Sequence, residues 1–165
     1  MKPSAYRDKN SQMSYTRTEY MGGIPGSKIV RFTMGNPEGD YTHSVELVNT
    51  KAGQIRHNAL EAARVAALRH LERRIERSKF HLKIVPYPHQ VLREHKRVNV
   101  AQADRFQEGM KKAYGKPVAV AARVETRDTI IMAEVNQKDL SIAQEALRRA
   151  QHKLPLPVRM LIKKN

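Results

Sequence analysis

The chain has 165 residues, with 31 Lys and Arg against 16 Asp and Glu, a formal net charge of +15, and neither Cys nor Trp. Zero Cys excludes disulfides, thiolate zinc sites and cysteine nucleophiles at once. The length suits one domain with a buried core, residues 1–165, while the surplus charge opposes compaction and calls for a counter-charge, most commonly a nucleic acid.

A membrane surface attracts the same charge, but would need a basic amphipathic anchor or a lipidation site. There is no Cys to acylate or prenylate, and the N-terminus lacks a myristoylation signal. No apolar run approaches transmembrane length. The opening Met-Lys-Pro-Ser-Ala-Tyr has no secretory apolar core. The expectation is a soluble, cytoplasmic protein with no membrane partner and no homo-oligomer.

Residues 1–27 are polar, end in Gly22, Gly23, Pro25 and Gly26, and fit neither a helical nor a strand period. Tyr6, Tyr15 and Tyr20 alternate with Arg7, Lys9 and Arg17, which predicts an extended basic arm that orders on RNA, rings stacking and cations meeting phosphate. A purely solvating tail has little use for three tyrosines. Lys28–Met34 then reads as a strand, the Gly-Asn-Pro-Glu-Gly-Asp run at 35–40 as a turn, and Tyr41–Asn49 as a second strand, with a hairpin-like link between the two.

From Gln54 to Ser78 the pattern predicts a long helix. Leu60, Ala63, Ala67, Leu71 and Ile75 form one stripe, and Arg69, Glu72, Arg73 and Glu76 a solvated face. Arg64 lies close to the apolar stripe and must snorkel or find an anion. Arg56 and His57 sit at the helix start, where the dipole favours a phosphate. Phe80–Val85 alternates as a strand, breaks at Pro86-Tyr87-Pro88, and resumes from His89 to Arg93.

Arg93–Pro117 has no sustained strand alternation and only a brief helical rhythm. Its Arg93, Lys96, Arg97, Arg105, Lys111, Lys112 and Lys116 outnumber Glu94, Asp104 and Glu108. Compact domains rarely keep so long a connection unless it is functional or disordered. Residues 94–117 therefore read as a long basic loop, held at both ends by strands and suited to insertion into a polyanion.

Val118–Val124 and Thr129–Val135 follow as strands, predicted to form a hairpin around Glu125–Asp128. Ala119, Ala121, Ala122 and Ala133 would keep one sheet face small enough for a helix to pack closely. Asn136 is a candidate N-cap with Asp139 at the third helical position. The helix turns Leu140, Ala143, Leu147 and Ala150 inward and ends near His152. Arg148, Arg149 and Lys153 at its end suit the dipole. Pro157–Lys163 makes a last short strand. The fold class is α+β: a mostly antiparallel sheet covered on one face by two helices, a two-layer sandwich with an extended arm and a long loop.

The sequence carries little that suggests catalysis. Gly109 to Pro117 has five residues between its glycines, and Pro follows Lys116, so it lacks the spacing and magnesium-binding hydroxyl of a phosphate-binding loop. No His pair has metal-ligand spacing, so neither metal nor cofactor is expected. Asp104 and Glu108 are one helical turn apart among cations, which makes them salt-bridge partners rather than an acid–base pair. An enzyme is therefore the minority reading. Sequence-specific DNA binding fails for want of a helix-turn-helix partner or zinc finger. Cations scattered over arm, helices and loop suit an irregular folded RNA.

Several segments together then resemble a known family. Gly23-Ile-Pro-Gly-Ser-Lys-Ile29, Arg56-His-Asn-Ala-Leu-Glu-Ala-Ala-Arg64, Pro88-His-Gln-Val91, Ala103-Asp-Arg105, Gly109-Met110, Gly115-Lys116 and Glu145-Ala-Leu-Arg-Arg-Ala150 occur in order without large gaps. The set resembles the large-subunit ribosomal protein family called ten-e in archaea and eukaryotes, whose bacterial counterpart is ribosomal protein sixteen of the large subunit. The arm and the absence of Cys resemble the archaeal branch.

The resemblance implies a non-enzymatic constituent of the large subunit, bound to ribosomal RNA and neighbouring ribosomal proteins, with the long loop reaching toward transfer RNA near the peptidyl transferase region. Candidate ribosomal RNA contacts are Tyr6, Arg7, Tyr15, Arg17, Lys28, Arg56, His57, Arg64, Lys83, His89, Arg93, Lys96, Lys111, Lys112, Lys116 and Arg123. By position in the family pattern, the loop tip facing transfer RNA comprises Arg97, Asn99, Gln102, Ala103, Asp104, Arg105, Gly109 and Met110. Gln102 stands where related loops usually carry Gly. The runner-up is a free-standing RNA-binding chaperone or regulator, which stoichiometric co-sedimentation with large subunits would distinguish.

Overall fold

The computed structural model describes Met13, Glu19, residues 21–95 and residues 115–164. Eight strands and two α-helices follow in chain order: β1 (Thr33–Gly35), β2 (His43–Asn49), β3 (Gly53–Arg56), α1 (His57–Glu72), β4 (Phe80–Ile84), β5 (Gln90–Glu94), β6 (Lys116–Val124), β7 (Thr129–Val135), α2 (Leu140–Gln151) and β8 (Val158–Lys164). The strands form two sheets, one ordered β1-β4-β7-β2-β8 and the other β3-β6-β5. Every pairing is antiparallel, as an α+β reading requires.

Both helices pack against each other; α2 lies on β2 and β7, while α1 touches β3, β4 and β6 and so bridges the two sheets. Leu60, Ala63, Ala67 and Leu71 of α1 and Ala143, Ala146, Leu147 and Ala150 of α2 are buried. Their three- and four-residue spacing is that of one helical face, and the alanines permit close approach. Across from them the sheets contribute Val45, Leu47, Phe80, Leu82, Ile84, Ala122, Val124, Ile131 and Ala133 to a single core. A smaller cluster of Met21, Val91 and Val120 fastens the end of the N-terminal segment to the three-stranded sheet.

Several local expectations give way to this topology. The first strand is only Thr33–Gly35 and pairs with β4, so no hairpin joins it to β2. The helix begins at His57 rather than Gln54, because residues 53–56 pair with β6 as β3. Arg56 at the helix cap is extended (φ −68°, ψ 148°), and no side chain caps the helix. A short 3₁₀ turn at Gln137–Asp139 precedes α2, and Asn136 makes no side-chain cap. The Thr42 hydroxyl accepts the Gln137 N–H instead, at 3.1 Å. The small residues do not share a face either: Ala119 and Ala121 cluster with Leu92, whereas Ala122 and Ala133 lie in the main core.

The largest departure concerns β6 and β7. They are four residues apart, yet they lie in different sheets and do not pair with each other. β2 pairs with β7 as far as Val48↔Thr129, and β3 pairs with β6 from Gly53↔Val124. The chain from 43 to 56 thus runs antiparallel to the chain from 116 to 135, and both bend side by side between the sheets. Asn49, 1% exposed, holds the bend. Its amide nitrogen Nδ2 donates to the carbonyls of Lys51 at 2.6 Å and Glu125 at 3.1 Å. Its backbone N–H donates to the Asp128 carbonyl, and its carbonyl accepts from the Arg127 N–H at 2.8 Å. Arg127 is the one described non-glycine residue with positive φ, 76°, and the Asp128 carboxylate accepts the Glu125 N–H at 2.7 Å.

Removing the Asn49 amide would take away the donor that the Lys51 and Glu125 carbonyls share. Asn49→Ala is expected to lower the unfolding free energy by about 2 kcal/mol. Asn49→Asp should lose more at neutral pH, because a carboxylate would face carbonyl oxygens. Urea denaturation checks both. Wild-type stability in either variant would remove Asn49 from this role.

Candidate nucleic-acid interface

The outer sides of α1 and α2 meet in a groove whose walls come from both helices. At one end a cavity of about 480 Å³ is lined by Ala66, Arg69, His70, Arg73, Arg149, His152 and Lys153. A neighbouring cavity of about 550 Å³ shares Ala66, Arg69 and Lys153, and continues to Lys28, Asn58 and Glu61. The groove thus runs along much of α1, whose rise of roughly 1.5 Å per residue makes it long enough for several phosphates.

Its charge is strongly one-sided. Arg69, Arg73 and Lys153 make no ion pair with any described residue. Glu61, the acidic residue of the second cavity, is already held by Arg64 at 2.5 Å. Glu145 is shared between Arg148 at 2.9 Å and Arg149 at 3.2 Å, both exposed pairs in which solvent screening is strong. The sequence hid this convergence. Arg69 and Arg73 looked like a solvated face, and Arg149 and Lys153 looked like dipole compensation; only the packing of α1 on α2 brings them together. The available signal was two like-charge clusters on helices that each needed a partner for an alanine-rich face.

The sequence-selected contacts are dispersed over the molecule. Lys28 lines the groove, and its backbone N–H donates to His57 Nδ1 at 2.8 Å. His57 is accordingly buried and structural at the start of α1. Arg64 is mostly buried, engaged by Glu61 and lying 3.7 Å from the Met34 sulfur. Arg56 is half-buried at the helix cap, its Nε without a protein partner. Lys83 is exposed on β4, and Arg123 Nη2 donates to the Met13 carbonyl at 3.3 Å. His89 is exposed, its ring 3.1 Å from the Tyr87 carbonyl.

Arg93 and Lys116 lie on β5 and β6, where Glu94 pairs with Lys116 across the strands. The strands therefore extend slightly into the stretch read as a loop from 94 to 117. Tyr6, Arg7, Tyr15, Arg17, Lys96, Lys111, Lys112 and the whole proposed tip (Arg97, Asn99, Gln102, Ala103, Asp104, Arg105, Gly109, Met110) lie outside the described residues.

Among the described residues no group of three His, Asp or Glu could hold a metal ion, and no helix is long and apolar enough to cross a membrane. The profile of ribosomal protein L16p/L10e matches residues 10–161. The chain belongs to the ribosomal protein L16p/L10e family. Among its relatives is the large ribosomal subunit protein uL16 of Staphylothermus marinus, 52% identical over 90% of this chain and 86% of that protein. The protein of the same name from Hyperthermus butylicus is 51% identical over 90% of this chain and 82% of its own length. That of Methanocella arvoryzae is 45% identical over 99% and 95%. The archaeal branch read from the sequence is thus confirmed, and an L16p/L10e protein is a structural component rather than an enzyme.

The histidines report the electrostatics of this face. His70, buried at the back of the groove, has its pKa lowered from 6.5 by burial first, then by Arg149 and Arg74, with Glu145 opposing. Burial, then Arg56 and Lys28, lowers that of His57. A lowered folded pKa means that the unfolded chain binds more protons between that value and 6.5. The stability held by the neutral rings is thus fully present above about pH 6.5 and lost as pH falls through the folded values. Imidazole NMR titration should place both below the ordinary histidine range, with Arg149→Ala moving His70 upward; an unmoved His70 would show that Arg149 is not felt there.

Proposed function

We propose that this chain is a structural constituent of the large ribosomal subunit that binds large-subunit ribosomal RNA through the α1–α2 groove. Residues 1–165 act in this reading as one RNA-binding unit beside neighbouring ribosomal proteins. The observation that carries it is the groove itself, where Lys28 and Arg69 and Arg73 of α1 meet Arg149 and Lys153 at the end of α2, and these cations outnumber the nearby carboxylates of Glu61 and Glu145. Family membership supplies the ribosomal setting, and the net charge of +15 supplies the need for a polyanion. Lys28 joins the groove, while exposed Lys83 extends the basic surface to the sheet. Cations in the arm and in the 94–117 loop would add further contacts.

The contribution of such contacts is mainly the release of counterions, so it can be read from salt dependence. The combination Arg69→Ala, Arg149→Ala and Lys153→Ala removes three groove cations. It is expected to weaken binding to purified large-subunit ribosomal RNA and to flatten log K against log salt by about 2 to 3. Filter binding over a salt series measures this. A slope equal to that of the parent chain would take the groove out of the interface.

The loop is proposed to extend toward transfer RNA and the peptidyl transferase region. Its stem supports this reading: β5 and β6 are paired up to Glu94↔Lys116, so the 96–114 segment leaves and re-enters the fold at one place. Deleting Val98–Glu108 should leave the chain folded and able to join particles, yet impair transfer-RNA binding and translation by those particles. Particles with unaltered transfer-RNA binding would show that the loop has no such role.

A further inference from the structure

The segment joining the two sheets carries an aromatic surface that the groove does not use. Tyr87 is 66% exposed, and Val85, two residues before it, is 49% exposed. The tyrosine lies between Pro86 and Pro88. Pro86 has its φ fixed by its own ring, and Pro88 restricts Tyr87 to extended conformations, so the residue is presented by a stiff backbone. The His89 ring lies 3.1 Å from the Tyr87 carbonyl. The phenol ring rests on Phe32, centroids 5.4 Å apart at 33°, and Phe32 in turn packs on the main core. One side of the ring is therefore backed by the fold, and the residue as a whole stands open to solvent.

We propose that Tyr87 is a stacking platform for an unpaired nucleobase of ribosomal RNA; this inference rests on the RNA-binding reading above. Any base offers a π-face to a tyrosine ring, and single-stranded RNA is characteristically held by aromatic stacking with cations on the flanking phosphates. The surroundings fit that occupant. Neither the stretch from Lys28 to Met34 nor that from Lys79 to Arg93 contains an Asp or Glu, and Arg31 and Lys83 are exposed. Thr33 pairs with Lys83, and the Ile84 N–H donates to the Phe32 carbonyl, so Arg31 and Lys83 lie along the same sheet corner as the aromatic pair. An exposed aromatic ring with Arg31 and Lys83 at the same sheet corner suits a base with its phosphates better than a neutral or basic protein surface.

The test uses the full chain and purified large-subunit ribosomal RNA. The protein has no Trp, so Tyr87→Trp introduces a single tryptophan at the site, excited selectively at wavelengths where the remaining tyrosines do not absorb. Its emission should be quenched on RNA addition, with affinity near that of the parent. Tyr87→Phe should bind like the parent, and Tyr87→Ala about tenfold more weakly, with an unchanged salt slope because no phosphate contact is lost. Parent-like affinity of Tyr87→Ala overturns the proposal. So does emission that ignores RNA, or that responds only to added large-subunit proteins, which would make the patch a protein contact. A parent chain that binds no ribosomal RNA would overturn the RNA-binding reading itself, an outcome distinct from a parent that binds and a Tyr87→Ala variant that binds equally well.

Discussion

The architecture depends on a corner at which two chain segments bend together around the buried side chain of Asn49. Residues 43–56 and 116–135 are antiparallel partners on both sides of that corner, but the sheet does not continue through it. A bend in a sheet leaves backbone donors and acceptors facing one another without a ladder to satisfy them. Asn49 resolves this with a side-chain amide that serves two carbonyls and with backbone bonds to the opposing turn. The Thr50 N–H and hydroxyl add bonds to the Pro157 carbonyl, which brings β8 to the same corner. Because the corner orients one sheet against the other, it also fixes where α1 can bridge them.

The position of α1 turns a helix-packing requirement into an electrostatic surface. Its alanine-rich stripe must be covered, and α2 covers it with a stripe of similarly small residues. Close packing of the two helices draws their outer cations together, so repulsion accumulates along the seam. Single surface charges contribute little to stability in either direction. A groove that gathers several of one sign is different, since it concentrates potential and attracts a polyanion from a distance. Core packing and ligand attraction are thus produced by the two faces of the same pair of helices.

Much of this was legible in the residues. Period-2 alternation located β2 and β4, and the three- and four-residue stripes located both helices, although β2, flanked by β7 and β8, is buried along nearly its whole length. What failed was governed by partners distant in sequence. β3 is four residues long and runs into α1 without a turn or a capping side chain, so nothing local separates it from the helix. The Glu125–Asp128 turn has hairpin length and hairpin residues, yet the strands it joins are claimed by β2 and β3. The same blindness applied to the interface. Arg64 stood out because it lies close to an apolar stripe, but Glu61 three residues earlier meets its charge. Arg69 and Lys153 did not stand out, because their significance arises from the approach of a second helix. Tyr87 was seen only as a break in a strand, since exposure cannot be read from a Pro-Tyr-Pro run.

The β5–β6 stem has an evolutionary implication. Its two strands leave and return at adjacent positions on the margin of the smaller sheet, with Gly115 in a left-handed conformation (φ 85°) where they part. Both ends of the connection therefore lie on the smaller sheet, and neither is a strand of the larger one. The register of the stem is set by its own cross-strand pairing, so a change in the length of the connection need not shift it, and selection can act on that length apart from the strands.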